Sequence, residues 1–224
     1  MRKVDTYRAE LRLVDAWEPW LAERSSLPGP RANLELVAAA AEEADEPTAR
    51  RLADAEDEFL AMCGVVALGR HGRLEPVRRA ANDGRWRVRE AAAMALQRLG
   101  DDDPERLAAV ALEWAGGGTP LEARCATAGV SEPRLLRTPD AVASALAVLE
   151  RATEVLAASH DPVLAKGLAY AWSVVAAADL DAARPAMERW LASTDRVVRR
   201  TLRGNLRKPR LQRLDPEWTA RWLG

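Results

Sequence analysis

The chain has 224 residues, 48% of them hydrophobic and 30% charged, with a formal net charge of −1. That balance suits a folded chain long enough to bury a sizeable core and excludes a disordered polyelectrolyte. Isoleucine is absent, Lys3, Lys166 and Lys208 are the only lysines, and phenylalanine and tyrosine are scarce. Alanine, leucine, arginine and glutamate dominate instead, which favours helix over strand.

In chain order, Val4, Tyr7, Leu11, Val14, Trp17 and Leu21 recur at three- and four-residue steps and predict one long helix over 3–22. Its charged start and the lack of any long apolar run predict neither a leader peptide nor a membrane span, and hence a cytoplasmic location. Ser25-Ser26-Leu27-Pro28-Gly29-Pro30 is a break. Further helices are expected over 31–44, 48–70 with an interruption near 54, 74–82, and 86–99, where Gly100 reads as a stop.

Asp103-Pro104, Thr119-Pro120, Thr138-Pro139, Asp161-Pro162 and Asp215-Pro216 each place a capping side chain before a proline at the first helical position. They predict helices starting at 104, 120, 139, 162 and 216, with two more over 181–192 and 195–207. Gly116-Gly117-Gly118 reads as a flexible connection, since it lacks the lysine and Ser/Thr of a phosphate loop. Connections this short make consecutive helices antiparallel neighbours, so the expected fold class is all-α.

Two internal similarities point to repetition. Gly129-Val130-Ser131-Glu132-Pro133-Arg134-Leu135 reads like Asn205-Leu206-Arg207-Lys208-Pro209-Arg210-Leu211, and Val88-Arg89-Glu90 opens a helix much as Val198-Arg199-Arg200 does. The first spacing, 76, is twice the length of a typical helix-pair repeat of about 40 residues. The expected architecture is an α-solenoid of antiparallel pairs in one domain over 1–224. Within it, 1–72 holds divergent helices, 73–213 the clearer repeats and 214–224 a capping helix.

Over 74–210 the chain resembles HEAT-repeat proteins: Asp83 and Arg89, and less regularly Asp195 with Arg199 or Arg200, match the turn aspartate and second-helix arginine of that family. There, the resemblance implies, these residues form a structural ladder between repeats. Trp86-Arg87-Val88-Arg89-Glu90, Leu112-Glu113-Trp114-Ala115 and Glu132-Pro133-Arg134 are also similar to segments of the bacterial HEAT-like alkylbase DNA glycosylases. That resemblance implies DNA held on a basic concave face and excision of alkylated bases, and it draws Arg85, Trp86, Arg89 and Arg134 into a candidate DNA contact. No Trp-Trp-Asp cluster of the kind one branch carries is present.

Charge is distributed very unevenly. From residue 196 onward Arg196, Arg199, Arg200, Arg203, Arg207, Lys208, Arg210, Arg213 and Arg221 face only Asp215 and Glu217, a local net of +7, and the rest of the chain carries −8. Arg196, Arg199, Arg200, Arg203 and Arg207 share one helix face, as a phosphate-binding surface requires. A solvated end-cap or a self-association surface would also use such charge. Eight tryptophans are the second anomaly; most read as core filling, while Trp86, between Arg85 and Arg87, reads as exposed.

Base excision needs a carboxylate to steady the developing sugar cation, and Glu113 and Glu90 are the candidates, with salt bridging the competing role. Cys63 and Cys125 lack CxxC partners and His71 and His160 stand alone, so neither metal nor cofactor is expected. The expected partner is duplex DNA through the basic C-terminal surface, or alternatively another protein on the concave face, with no membrane contact.

Overall fold

A computed structural model describes residues 2–224. Among them are fifteen α-helices and a single 3-10 turn, with no strand. The chain divides into two compact units, one through Leu99 and one from Gly100 to Gly224.

The first unit is built around α5 (Glu58–Arg70), whose residues from Phe59 to Gly69 are all buried. α3 (Leu34–Glu43), α4 (Glu46–Ala53) and α6 (Leu74–Ala81) pack on it, and α1 (Lys3–Leu11) packs on α3. α4 approaches very closely because Gly64 has no side chain: a Cβ there would lie 2.1 Å from the Ala53 nitrogen and 2.6 Å from the Ala49 carbonyl oxygen. Gly69 similarly receives Ala95 of α7 (Trp86–Asp102). On the outer side, Arg8 and Arg12 both donate to Glu43, at 2.6 and 2.7 Å.

The long first helix expected over 3–22 is two helices, α1 and α2 (Trp17–Glu23). Pro19 supplies the reason: its ring would clash with the carbonyl of residue 15, so the second helix begins after that point. Leu13, in the intervening turn, is 85% exposed. Nor is Gly100 a stop. α7 runs on to Asp102, and the missing side chain makes room for Leu107, whose Cδ2 would lie 2.4 Å from a Cβ at position 100.

The second unit holds α8 (Pro104–Gly117), α9 (Pro120–Val130), the 3-10 turn (Pro133–Leu135), α10 (Pro139–Ser159), α11 (Pro162–Ala178), α12 (Leu180–Leu191), α13 (Arg196–Leu206), α14 (Pro209–Leu214) and α15 (Pro216–Leu223). All five expected cap-proline pairs start a helix. Asp103, Thr119, Thr138, Asp161 and Asp215 each accept a hydrogen bond from a backbone N–H two or three residues on. The glycine triplet is not a loose connection: Gly116 and Gly117 complete α8, and Gly116 accommodates Arg151, whose Nε would lie 2.1 Å from a Cβ there.

Consecutive helices pack together from α8 to α13, and so do α8 with α10, α9 with α11, and α11 with α13. α11 and α13 run parallel. At their heads, His160 Nε2 lies 2.7 Å from Oδ2 of Asp195, the α13 cap. Ten residues further along α13, the buried Asn205 donates to the Leu168 carbonyl at 3.0 Å and accepts from the Ser173 N–H at 2.9 Å. These bonds fix the register of the two helices.

The internal similarities have local structural counterparts. Pro133-Arg134-Leu135 and Pro209-Arg210-Leu211 each begin a helical turn directly after a longer helix. Arg89 donates to the Asp83 carbonyl at 2.6 Å, and Arg199 donates to the Ser193 carbonyl, also six residues back and also at 2.6 Å. The Asp83 carboxylate is bound by Arg85 within the same turn, so the contact shared by the two segments is to the main chain.

Candidate nucleic-acid interface

α13 is strongly amphipathic. Val198, Thr201, Leu202, Asn205 and Leu206 are buried, which turns Arg196, Arg199, Arg200, Arg203 and Arg207 outward. These five arginines line one depression of about 250 Å³. From Arg196 to Arg207 is eleven helical steps, about 16 Å. Asp195 starts the helix by accepting from the Val197 and Val198 N–H groups, and those bonds together with His160 hold its carboxyl below the usual carboxylate range.

Partners for these cations are few. Arg199 is tied to the Ser193 carbonyl, whereas the guanidinium groups of Arg196, Arg200, Arg203 and Arg207 make no ion pair or hydrogen bond to any described residue, and the Nε of Arg203 is buried without an acceptor. None of α11, α13 and α14 contains an aspartate or glutamate. Like charges three and four residues apart destabilise a helix by about 0.2–0.5 kcal/mol per pair. α13 tolerates several such pairs because its cap and the Asn205 bonds hold it in place.

The register of α11 against α13 also sets the level of two further exposed groups. Lys166 is exposed on α11, level with the middle of α13, and Tyr170 follows one turn later, 51% exposed. Arg210 lies over the Tyr170 ring at 4.7 Å and donates to its hydroxyl at 3.0 Å, and the Lys208 ammonium is 5.7 Å from the ring centroid. Sequence reasoning missed Lys166 and Tyr170. The usable signal was the stretch 162–178, a seventeen-residue helix whose single charged side chain is Lys166.

The other expected contact residues are engaged structurally. Arg85 binds Asp83 and the carbonyls of Ala55 and Glu56, and Arg89 binds the carbonyls of Asp83 and Gly84. Arg134 pairs with Asp101 and Glu132. Trp86 is 52% exposed, and the Arg87 guanidinium lies 4.5 Å from its ring centroid.

Of the two carboxylates, Glu90 is half-buried on α7, and Glu113 is exposed on α8 beside a Trp114 that is only 3% exposed. The two neighbours thus point to different environments, and Glu113 lines neither the basic depression nor the larger cavity of about 680 Å³ between the starts of α8 and α10. That cavity has an apolar floor that includes Leu107, Val130 and Leu136, and its rim mixes Asp102, Glu105 and Asp140 with Arg134 and Arg137.

Among the described residues no helix is long and apolar enough to cross a membrane, and no group of three or more His, Cys, Asp or Glu side chains could hold a metal ion. No family model, curated protein or solved structure matches this chain.

Proposed function

We propose that this chain is a DNA-binding protein of stacked, HEAT-like helix pairs, and that it grips backbone phosphates with the α11–α13–α14 face. The observation that carries the reading is the row of five arginines lining one depression on α13, with no carboxylate along that helix or along the neighbouring α11 and α14. An end-cap needs only to be soluble, and mixed charge serves that purpose without internal repulsion. A polyanion supplies the missing negative charge, and its condensed counterions are released as the arginines replace them. The HEAT-like part of the reading rests on the alternate helix contacts of the second unit and on the matching Arg89 and Arg199 bonds.

The reading is of a binding module. Excision of a base requires a carboxylate where the DNA is held, and Glu113 stands on α8, outside the basic depression. The test is a fluorescence-anisotropy titration of a labelled 20-bp duplex across a series of salt concentrations. Wild-type affinity should fall steeply with salt. Arg200→Glu with Arg203→Glu should weaken binding regardless of sequence and make the log–log salt dependence shallower by about 0.9 for each phosphate no longer neutralised. Unchanged affinity and slope in the folded variant would overturn the proposal and favour a protein partner for this surface.

A further inference from the structure

The same face carries one group that phosphate binding does not require. Tyr170 presents half of its surface to solvent beside Lys208, the residue that follows Arg207 at the end of the arginine row, on a helix whose inward residues already supply the packing: Leu168, Ala171 and Trp172 are buried on either side of it. Its position is set from two directions. Asn205 pins the backbone of 168–173 to α13, and the Ser173 hydroxyl donates to the Tyr170 carbonyl at 2.7 Å. Its ring is fixed by Arg210, which both lies over it and bonds its hydroxyl, and Lys208 approaches it as well.

An exposed aromatic ring held rigid among cations, at the end of a cationic groove, is the arrangement by which proteins receive unpaired bases. The ring or the guanidinium plane stacks on the base while neighbouring cations hold its phosphates. A fully paired duplex keeps its bases inside the stack and leaves such a ring unused. Resting on the phosphate-binding reading above, we infer that the α13 face takes a single-stranded segment of nucleic acid, with its phosphates along Arg196, Arg200, Arg203 and Arg207 and one base on the Tyr170–Arg210 platform. Paired DNA would be held at the same face by its phosphates alone, and more weakly.

The experiment compares three fluorescein-labelled ligands against the full chain at fixed salt: a twelve-residue oligothymidylate, a twelve-residue oligomer of abasic sites, and a 20-bp duplex. The abasic oligomer has the same phosphates and no bases. Wild-type protein should bind oligothymidylate tenfold or more tightly than the abasic oligomer. Tyr170→Ala should bring oligothymidylate affinity down to the abasic value and leave abasic and duplex binding unchanged, and Tyr170→Phe should retain most of the preference. Circular dichroism of each variant verifies the fold. Equal wild-type binding of the oligothymidylate and abasic ligands, or an equal loss for both in Tyr170→Ala, would overturn the platform. Loss of all binding on Arg200→Glu with Arg203→Glu, alongside an ineffective Tyr170→Ala, would overturn the platform and leave the phosphate reading standing. Failure of wild-type protein to bind any of the three would overturn both.

Discussion

Replacing Asn205 probes what holds the basic face together. Its side chain is wholly buried and makes three hydrogen bonds: Oδ1 accepts from Ser173, and Nδ2 donates to the carbonyls of Leu168 and Thr201 at 3.0 and 3.1 Å. At about 1 kcal/mol net per bond, with about 1 kcal/mol more for the small cavity, Asn205→Ala should cost about 3–5 kcal/mol. That corresponds to a factor of about 10² to 10³ or more in the unfolding equilibrium of the second unit.

Asn205→Asp tests the geometry more sharply. It keeps the acceptor for Ser173 but turns a charged oxygen toward two carbonyls, so burial and those carbonyls raise its folded-state pKa above the unfolded value of about 3.9. A raised acid pKa means that the variant is least handicapped below pH 4 and loses stability as pH rises from there toward the folded value. Equilibrium denaturation, followed by circular dichroism at several pH values, gives both numbers. A cost for Asn205→Ala below about 1 kcal/mol, or an Asn205→Asp deficit that does not grow with pH, would refute the account of Asn205 as the register pin.

Two further outcomes follow from packing and charge. Gly64→Ala gains about 1 kcal/mol of helix propensity, but its Cβ would meet α4 backbone at 2.1 Å, so a net loss of about 2 kcal/mol or more is expected. Gly84→Ala meets nothing within 4 Å and should be neutral or stabilising, and thermal melts of the two variants beside wild type check both signs. The Glu43 carboxyl is held below its ordinary range, chiefly by the hydrogen bond from Arg12 and then against desolvation by that from Arg8. Its contribution is therefore present above about pH 4.3 and is lost as pH falls through the lower folded value. The stability gap between wild type and Glu43→Gln should shrink on acidification from pH 6 to pH 3, and a constant gap would contradict the assignment.

Helix positions were readable where the chain itself supplies the terminating chemistry. Each Asp-Pro or Thr-Pro pair carries both the acceptor and the missing donor that a helix start needs, and tertiary context altered none of them. α14 escaped because Lys208-Pro209 offers no side-chain cap; the turn forms because Leu211 is buried. Gly100 and Gly116 misled for the opposite reason. Glycine marks a stop or a close approach, and only the positions of Leu107 and Arg151 distinguish the two.

The arginine row was legible because five residues on one helix share a face by periodicity alone. Tyr170 lies far earlier in the chain and meets Lys208 and Arg210 only through the α11–α13 register, which Asn205 sets and no local pattern announces. Arg85, Arg89 and Arg134 show the converse. A basic residue beside a resemblance motif reads as available until the carbonyls and carboxylates that occupy it are placed.

Cys63 and Cys125 are both buried, and they are distributed one to each compact unit, on α5 and α9. Burial pushes the Cys63 thiol far above its ordinary range, which silences it as a nucleophile while its helix stays closed. A thiol reagent can therefore reach either sulfur only when the surrounding helices part. The two modification rates, separated by peptide mass, give the opening free energy of each half of the molecule without any engineered probe. A nucleic acid bound at the α13 face would slow the reaction at Cys125 in proportion to the stability it lends that unit.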